Sequence, residues 1–207
     1  MYVAIAGNIG VGKSSLTRIL SDRYRLRPLY EAVDENPYLE DFYADMPRYA
    51  FHSQMFFLAT RLQQHLRDVN PAERVIQDRT VYEDAAIFAR NLFEEDVMDA
   101  RDHASYRRMY EAISAALRPP DLLVYLRASI GTLRGRITQR GRDYEAGIAD
   151  AYLARLNRLY EAWVEGFDLC EVVVVETDGL DFVHDRKDLN RVLDRLESRG
   201  LTAPLVG

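Results

Sequence analysis

The sequence Gly7-Asn8-Ile9-Gly10-Val11-Gly12-Lys13-Ser14 lies between the apolar run Tyr2–Ala6 and a helical pattern that begins at Lys13. It satisfies the pattern G-x-x-x-x-G-K-[ST] in full. Its glycines allow backbone N–H groups to turn inward around a phosphate, and the N-terminus of the following helix favours anions. The stretch predicts a P-loop that binds a nucleoside triphosphate through Gly7, Asn8, Ile9, Gly10, Val11, Gly12, Lys13, Ser14 and Ser15.

Two residues of this loop carry most of the chemistry expected of it. Lys13 can reach the β- and γ-phosphates as a compact point charge, and Ser14 can bind Mg²⁺ through its hydroxyl. Of the 27 Lys and Arg residues, only Lys13 and Lys187 are lysines. Because a planar guanidinium would fit the loop poorly, we expect Lys13 to be there for its shape as well as its charge. The loop alone predicts triphosphate binding and leaves the reaction open.

Length and composition narrow the class of protein. The chain has 207 residues, of which 48% are hydrophobic, and this favours one domain, residues 1–207, with a single core. A net charge of −6 argues against a general nucleic-acid-binding surface. The single cysteine, Cys170, rules out an intramolecular disulfide and fits a reducing compartment. No apolar run reaches membrane-spanning length, so a cytoplasmic protein with no membrane partner is expected.

Short apolar runs alternate with longer helical patterns along the whole chain. Strands are predicted at Tyr2–Ala6, Arg27–Tyr30, Arg74–Gln77, Leu122–Leu126 and Val172–Val175. Helices are predicted at Lys13–Tyr24, Leu39–Asp45, Tyr49–Val69, Val81–Phe93, Ala104–Leu117, Ile130–Arg140, Ile148–Gly166 and Arg186–Arg199. This alternation predicts an α/β P-loop fold of three layers, a five-stranded parallel sheet with helices on both faces. In such sheets ligands bind beyond the carboxyl ends of the strands.

Charged residues follow two of the predicted strands at this edge. Glu31 follows the second strand and could take the proton from a substrate hydroxyl as it attacks the γ-phosphate. Asp78 and Arg79 follow the third, where an acid can bind Mg²⁺ and an arginine can stabilise charge on the transferring phosphoryl group. The plainer alternatives are a solvated loop acid for Glu31, a helix cap for Asp78 and a surface partner for Arg79.

Four arginines, Arg134, Arg136, Arg140 and Arg142, lie in the predicted helix after the fourth strand and in the turn that follows it. Arg136 and Arg140 share a helix face, where they repel each other unless an anion lies between them. The pattern predicts an Arg-rich lid at about residues 134–147 that closes over the triphosphate. Arg136 would bind the triphosphate, and Arg140 and Arg142 would supply catalytic positive charge. A solvated basic helix face is the alternative.

A series of longer motifs runs from the P-loop towards the last helix. The motifs are Gly7–Ser14, Tyr30-Glu31-Ala32-Val33 with Asn36-Pro37, Phe42-Tyr43 leading to Arg48-Tyr49-Ala50-Phe51 and Gln54, Asp78-Arg79-Thr80-Val81-Tyr82-Glu83-Asp84, Pro120-Asp121-Leu122-Leu123, and Arg136-Ile137 with Arg140-Gly141-Arg142-Asp143-Tyr144-Glu145. Together they resemble the deoxyribonucleoside kinase family, and most of all its bacterial deoxyadenosine/deoxyguanosine kinases. There are two departures: many relatives have Pro in place of Ala32, and animal members usually have Glu in place of Asp78.

The resemblance implies roles for residues around a sugar and its 5′-hydroxyl. Glu31 would be the general base on the 5′-OH, with Arg79 beside that hydroxyl and Asp78 near the metal ion. Tyr43 and Glu145 match the pair that holds the sugar 3′-OH. The catalytic residues implied by the resemblance and by the chemistry above are Glu31, Arg79, Lys13, Arg140 and Arg142.

The resemblance also implies a base pocket. Gln54 matches the residue that makes two hydrogen bonds to the base edge, a task suited to the paired donor and acceptor of a carboxamide. Phe88 matches the aromatic residue that stacks on the base. Arg61 and Asp84 match a polar pair in relatives that accept purines or deoxycytidine, whereas thymidine-accepting relatives have small or apolar residues there.

The expected reaction converts ATP and a 2′-deoxynucleoside into ADP and the deoxynucleoside 5′-monophosphate, with Mg²⁺ as the metal ion. Deoxyadenosine or deoxyguanosine is the expected substrate, and deoxycytidine is a further candidate. One rival is a nucleoside monophosphate kinase of the thymidylate type, which would need a cation where this chain has Glu31. Another is a P-loop module that binds nucleotide without transferring phosphate. The resemblance also implies a homodimer packed through helices such as Tyr49–Val69 and Val81–Phe93.

Overall fold

The computed structural model describes residues 1–30, 35–142, 145 and 147–202. Its strands are β1 (Tyr2–Gly7), β2 (Arg27–Leu29), β3 (Val75–Asp78), β4 (Leu122–Arg127) and β5 (Glu171–Glu176). They form one sheet in the order β2-β3-β1-β4-β5, and every neighbouring pair is parallel. The predicted five-stranded parallel sheet is therefore confirmed.

Helices connect these strands. They are α1 (Lys13–Tyr24), α2 (Leu39–Ala44), α3 (Met46–Gln64), α4 (Val81–Glu83), α5 (Arg90–Glu94), α6 (Ala100–Ser114), α7 (Ile130–Arg140), α8 (Asp150–Glu165) and α9 (Arg186–Glu197). Two π-helical segments occur as well: π1 (His65–Val69) continues α3, and π2 (Asp84–Ala89) joins α4 to α5. None of the described helices combines the length and the apolar composition that crossing a lipid bilayer requires.

The core lies on both faces of the sheet, as the three-layer prediction requires. All residues of β1 are buried, and successive side chains of a strand point to opposite faces. Ile5 packs in a cluster with Leu16 of α1, whereas its neighbour Ala4 packs in a different cluster with Leu156 of α8. Helices therefore cover both faces of the central strand.

Some predicted boundaries were wrong, and the largest errors lie at helix starts. The helix predicted to begin at Tyr49 begins at Met46, because Pro47 is tolerated in the first turn, where a backbone N–H has no partner within the helix. The helix predicted from Ala104 begins after Asp99, whose side chain caps it. The remaining boundaries differ by a few residues, a common uncertainty at helix and strand ends.

The sheet topology brings the ends of the central strands to one edge. Ile5 of β1 is in register with Asp78, the last residue of β3, and Leu29 at the end of β2 is in register with Gln77. The P-loop follows β1 directly. The residues that follow β1, β2 and β3 therefore leave the sheet at neighbouring positions.

Candidate active site

The P-loop lies where β1 ends and α1 begins. Gly7 and Gly12 have φ angles of 142° and 108°, which residues with a side chain rarely adopt. At Gly7 a Cβ atom would lie 2.6 Å from the carbonyl oxygen of Leu126 in β4, so the loop packs against the next strand only with glycine there. Nζ of the buried Lys13 donates to the carbonyl oxygens of Gly7, at 2.9 Å, and Asn8, at 3.0 Å. The ammonium group is thus held within the loop.

Ser14 and Asp78 place oxygen atoms together beside the P-loop. Oγ of Ser14 donates a hydrogen bond to Oδ2 of Asp78. Oδ1 of Asp78 is buried and has no hydrogen-bond partner among the described residues. Hydroxyl and carboxylate oxygens are the hard ligands that Mg²⁺ prefers, usually together with phosphate oxygens. The pair therefore fits a Mg²⁺ ion bound to a nucleotide.

Arg79 occupies a strained backbone position directly after Asp78. Its φ angle is 65°, in the left-handed region, and its N–H donates to the carbonyl oxygen of Ile5 at 3.0 Å. The guanidinium carbon lies 4.2 Å from the centroid of the Phe88 ring, within cation–π range. Because Arg79 is buried, the alternative that it is a surface partner of Asp78 is wrong.

A cavity of about 300 Å³ opens beside the P-loop. Glu31 lies outside the described residues, but all the other residues predicted to bind the acceptor line this cavity. They are Tyr43, Gln54, Arg61, Asp78, Arg79, Asp84, Phe88 and Glu145. Apolar and aromatic side chains complete much of the wall, among them Ile9, Leu39, Phe42, Phe57 and Tyr152. Apolar walls with a few convergent polar groups are typical of a small-molecule site, so we call this the acceptor cavity.

The acceptor cavity has a buried polar end formed by α3 and π2. Nε of Arg61 donates to Oδ2 of Asp84, and the Arg61 guanidinium carbon lies 5.4 Å from the centroid of the Phe57 ring. Oε1 of the buried Gln54 has no hydrogen-bond partner among the described residues. A buried acceptor without a donor is costly. This end of the cavity therefore fits a ligand that donates a hydrogen bond.

The end of α7 brings two arginines to Glu145. Arg140 donates to Oε2 of Glu145 through Nε, at 3.1 Å, and through Nη2, at 2.6 Å. Nη1 of Arg142 lies 3.7 Å from Oε1 of the same carboxylate, and Glu145 is buried. The residue expected to hold a sugar hydroxyl is thus directly paired with two residues expected to stabilise the transferring phosphoryl group.

Arg136 is held by carbonyl groups of the chain. Nη1 donates to the carbonyl oxygen of Val11 at 2.9 Å and to Oγ1 of Thr177 at 3.0 Å; Nη2 donates to the carbonyl oxygens of Thr177 and Leu180. Desolvation lowers the pKa of its guanidinium. Arg136 and Arg140 each have protein partners and also line one cavity, so binding of the triphosphate between them stays a prediction. A fully solvated basic face is wrong for Arg136.

A second cavity, of about 620 Å³, shares Gly10, Lys13 and Ser14 with the first, and Arg140 and Arg142 line both. Its wall also includes Gly12, Ser15, Arg136, Gln139 and residues 180–184. The ring of Phe182 would lie 3.0 Å from a Cβ atom at Gly12, so this segment packs directly on the P-loop. We call this the donor cavity.

Three P-loop residues that were predicted to bind the nucleotide do not line the donor cavity. Gly7, Asn8 and Val11 are buried instead. Nδ2 of Asn8 donates to the carbonyl oxygen of Leu153, at 2.9 Å, and to Oδ1 of Asn157, at 2.7 Å. Both partners lie on α8. The side chain of Asn8 therefore anchors the loop to a helix of the core.

Glu83 contacts the P-loop through a hydrogen bond from the Gly7 N–H, and the sequence did not predict this contact. Thr80 and Glu83 form a capping box at the start of α4, in which Oε1 of Glu83 accepts from the Thr80 N–H at 2.8 Å. Thr80 is thus the helix cap, and the alternative that Asp78 caps this helix is wrong. The T-x-x-E spacing of the box is visible in the sequence, but no local pattern shows that Oε2 of Glu83 faces Gly7.

Tyr152 was missed too, although it lines the acceptor cavity. Burial raises the pKa of its phenol to about 12, against the opposing effect of Arg79 and Arg155, so the side chain stays neutral. An aromatic residue in an amphipathic helix is most simply interpreted as core. The sequence therefore held no signal that separated it from its neighbours.

The whole chain is similar to known nucleoside kinases. Residues 3–199 match the family described as deoxynucleoside kinase. Over 198 residues the chain is 34% identical to the deoxyadenosine/deoxycytidine kinase of Bacillus subtilis, covering 95% of this chain and 91% of that protein. It is 37% identical over 202 residues to the deoxyguanosine kinase of Lactobacillus acidophilus, covering 94% of this chain and 88% of the relative.

Solved structures of a deoxyadenosine kinase are also similar to this chain. The deoxyadenosine kinase from M. mycoides, with its products dCMP and a flexible dCDP bound, has a TM-score of 0.84 and 32% identity, covering 96% of this chain and 100% of the other. A structure of that enzyme with bound dATP has a TM-score of 0.83 and 30% identity, covering 95% of this chain and 100% of the other. Together with the P-loop and the two cavities that meet at it, these likenesses establish that the chain belongs to the deoxynucleoside kinase family and is a phosphotransferase.

Proposed function

We propose that this protein transfers the γ-phosphoryl group of ATP to the 5′-hydroxyl of a 2′-deoxynucleoside. Deoxyadenosine or deoxyguanosine is the preferred acceptor, and deoxycytidine is a further one. The observation that carries the proposal is the meeting of the donor and acceptor cavities at Lys13 and Ser14. A triphosphate bound along the P-loop would present its terminal phosphate where the acceptor cavity begins.

Positive charge is concentrated at this meeting point. Lys13 and Arg79 line the acceptor cavity, and Arg140 and Arg142 line both cavities. Phosphoryl transfer is accelerated mainly by positioning and by stabilising charge on the transferring oxygens. We assign that stabilisation to these four side chains.

Ser14 and Asp78 would hold Mg²⁺, because they bring a hydroxyl and a buried carboxylate oxygen together. When bound there, Mg²⁺ would neutralise charge on the β- and γ-phosphates. Ser14 also lines both cavities, which supports a metal ion held here beside the phosphates of a bound donor.

The proposed general base is Glu31, which lies outside the described residues. It follows β2, which pairs with the strand that ends in Asp78. An acid here could accept the proton of the 5′-hydroxyl as that oxygen attacks the γ-phosphate. Tyr43 and Glu145, which line the acceptor cavity, would hold the 3′-hydroxyl of the same sugar.

The polar end of the acceptor cavity would receive the base. Oε1 of Gln54 would accept from the 6-amino group of adenine or the N1–H of guanine, while Nε2 would donate to the neighbouring acceptor atom. Phe88 would stack on the base, and the Arg61–Asp84 pair would line the polar edge. The relatives named deoxyadenosine/deoxycytidine kinase and deoxyguanosine kinase support an amino-bearing base.

The test is phosphorylation of the four deoxynucleosides with Mg²⁺ and ATP, alongside dAMP as a phosphorylated acceptor. We expect the highest kcat/KM for deoxyadenosine or deoxyguanosine and no product from dAMP. Glu31→Gln should abolish turnover and leave ATP binding intact. Binding of ATP without phosphorylation of any nucleoside would mean a non-catalytic module, and turnover of dAMP alone would mean a monophosphate kinase.

We also propose that the protein is a homodimer in the cytoplasm, packed through the helices that flank the acceptor cavity, such as α3. Size-exclusion chromatography with light scattering measures the oligomeric state directly, and a monomer at micromolar concentration would contradict the dimer. The single domain over residues 1–207 and the lid at about residues 134–147 also stay predictions.

A further inference from the structure

Glu83 is a buried acid that neither cavity uses. It is 0% exposed, and a carboxylate removed from water is costly unless hydrogen bonds satisfy it. Four donors do so. Oε1 accepts from the N–H of Thr80 at 2.8 Å and from its hydroxyl at 3.4 Å; Oε2 accepts from the hydroxyl of Tyr160 at 2.8 Å and from the N–H of Gly7 at 3.4 Å.

These contacts exceed what a helix cap requires. In a capping box the side chain of the acid needs to accept only from the N-cap N–H, here that of Thr80, and such an acid is usually exposed to solvent. Here the second oxygen turns inward and reaches the first residue of the P-loop, Gly7, and a tyrosine of α8, Tyr160. One carboxylate therefore accepts hydrogen bonds from the P-loop, from the start of α4 and from the core helix α8.

The same carboxylate stabilises the strained backbone at Arg79. The N–H of Arg79 is bound to the carbonyl oxygen of Ile5, and the next N–H, that of Thr80, is bound to Glu83. Both amide groups that flank the Cα atom of Arg79 are thus held. A non-glycine residue with φ of 65° persists only where its surroundings determine the conformation. Glu83 accepts one of these two backbone hydrogen bonds.

The charge of Glu83 also matches its surroundings. Burial raises the pKa of its carboxyl group, whereas the positive charges of Arg79 and Lys13 lower it. These are two of the cations that line the acceptor cavity. The two cations therefore favour the charged form of Glu83, which is the form that accepts all four hydrogen bonds.

We propose that Glu83 is a positioning residue for phosphoryl transfer, whose carboxylate holds Arg79 in register with the P-loop. The inference rests on the proposed function, in which Arg79 stabilises the transferring phosphoryl group. Glu83 itself touches neither the donor nor the acceptor. It acts through the backbone of Thr80 and Gly7.

The test compares Glu83→Gln, Tyr160→Phe and the double variant with the wild-type protein. A misplacement of about 1 Å can cost roughly a hundredfold in rate, so we expect Glu83→Gln to lower kcat by about tenfold to a hundredfold. The KM for the deoxynucleoside should change by less than about threefold, because the hydrogen bonds of Glu83 go to Thr80, Tyr160 and Gly7 and not to the residues proposed to hold the base and the 3′-hydroxyl. Tyr160→Phe should lower kcat less. The double variant should be no slower than Glu83→Gln, because both changes act through one carboxylate.

Asp99→Ala is the matched control for a purely structural role. Asp99 caps α6 through the N–H of Asp102, at 2.8 Å, on the surface of the protein. This variant should lower Tm and leave kcat unchanged. The fluorescence of Trp163, whose ring lies 6.2 Å from that of Tyr160, monitors folding in every variant. A wild-type kcat in Glu83→Gln, or an equal loss in Asp99→Ala, would overturn the inference.

Hydrogen exchange separates this inference from the proposed function. In Glu83→Gln the amides of Gly7 and Thr80 should exchange at least about tenfold faster, while amides in β4 keep their wild-type rates. If the wild-type protein phosphorylates no nucleoside, the proposed function fails and so does the role of Glu83 in it. Unchanged exchange at both amides would refute the structural link whatever the activity.

Discussion

Arg61 and Asp84 form an ion pair at the polar end of the acceptor cavity, with Nε of the arginine donating to Oδ2 of the aspartate. Their side chains are only 6% and 2% exposed. Two charges removed from water stabilise each other, and removing one takes that compensation from the other. This pair therefore links stability to the part of the cavity proposed to receive the base.

Removing one member of the pair should destabilise the fold strongly. Asp84→Ala is expected to lower the free energy of unfolding by about 3–5 kcal/mol, measured by urea denaturation. The double change Arg61→Met with Asp84→Ala should cost less than Asp84→Ala alone, since no charge remains buried. The control is Glu111→Ala, which breaks an exposed pair with Arg107, with side chains 54% and 60% exposed, and should cost less than about 1 kcal/mol. Equal losses in both single variants would contradict the expectation.

Two glycines should respond to alanine in opposite directions. Gly135 lies inside α7, and no atom lies within 4 Å of the position that a Cβ atom would take there, so Gly135→Ala should stabilise the protein by about 0.5–1 kcal/mol. Gly7 has φ of 142° and faces the Leu126 carbonyl oxygen, so Gly7→Ala should lose on the order of 1–3 kcal/mol from its backbone conformation alone. Thermal unfolding of both variants measures the difference. A stabilising Gly7→Ala would mean that the loop does not pack on β4 as described.

The stability of the protein should depend on His65 at mildly acidic pH. Burial lowers the pKa of its ring from the ordinary 6.5, and its Nε2 lies 3.0 Å from the carbonyl oxygen of Arg118. As the pH falls below 6.5, the unfolded chain takes up a proton that the folded state resists, so stability is lost. The loss from this one group is at most about 1.4 kcal/mol per pH unit.

Urea denaturation at pH 7.5 and pH 5.5 measures this dependence. His65→Gln should lose less stability between the two pH values than the wild-type protein does. His52→Gln changes an exposed histidine of α3 and should keep the wild-type pH dependence. If His65→Gln also keeps it, another group is responsible.

The sugar 3′-hydroxyl should be needed for efficient turnover. Because a hydrogen bond to a charged group contributes about 1.5–3 kcal/mol, 2′,3′-dideoxyadenosine should have a kcat/KM about tenfold to a hundredfold below that of deoxyadenosine. In Glu145→Gln the ratio between the two substrates should shrink, because the carboxylate that distinguishes them is gone. Steady-state kinetics with both nucleosides measures the ratios. Equal kcat/KM values in the wild-type protein would remove Glu145 from the proposed sugar site.

Local signals in the sequence predicted a large part of this fold. Two helices, α1 (Lys13–Tyr24) and α7 (Ile130–Arg140), have the predicted bounds. The signals for α7 are local, because Ser129 caps its start and Gly141, with φ of 67°, ends it. The P-loop pattern likewise predicted β1, the turn after it and α1. The start of α3 was missed because a proline is compatible both with a break and with a first helical turn.

The features that the sequence did not predict depend on contacts between distant parts of the chain. Arg136 and Val11 are 125 residues apart, and Glu83 and Gly7 are 76 apart, so their contacts follow from packing and from no local pattern. The π-helical segments also have no clear sequence signature, since their residues fit an α-helical period. The predicted acceptor residues that the structure describes line one cavity, and their roles await the experiments above.

The π2 segment bears on how the specificity of this protein could change. It presents Asp84 and Phe88 to the same cavity from within an otherwise α-helical run, Val81–Glu94. Deleting a single residue from a helix rotates everything on one side of the deletion by about 100° relative to the other side. Losing one residue between Asp84 and Phe88 would therefore change their spacing from four residues to three, which rotates the ring about the helix axis relative to the aspartate while both stay on one face. In this protein a one-residue deletion in π2 would therefore alter two walls of the base pocket at once, whereas a substitution alters one.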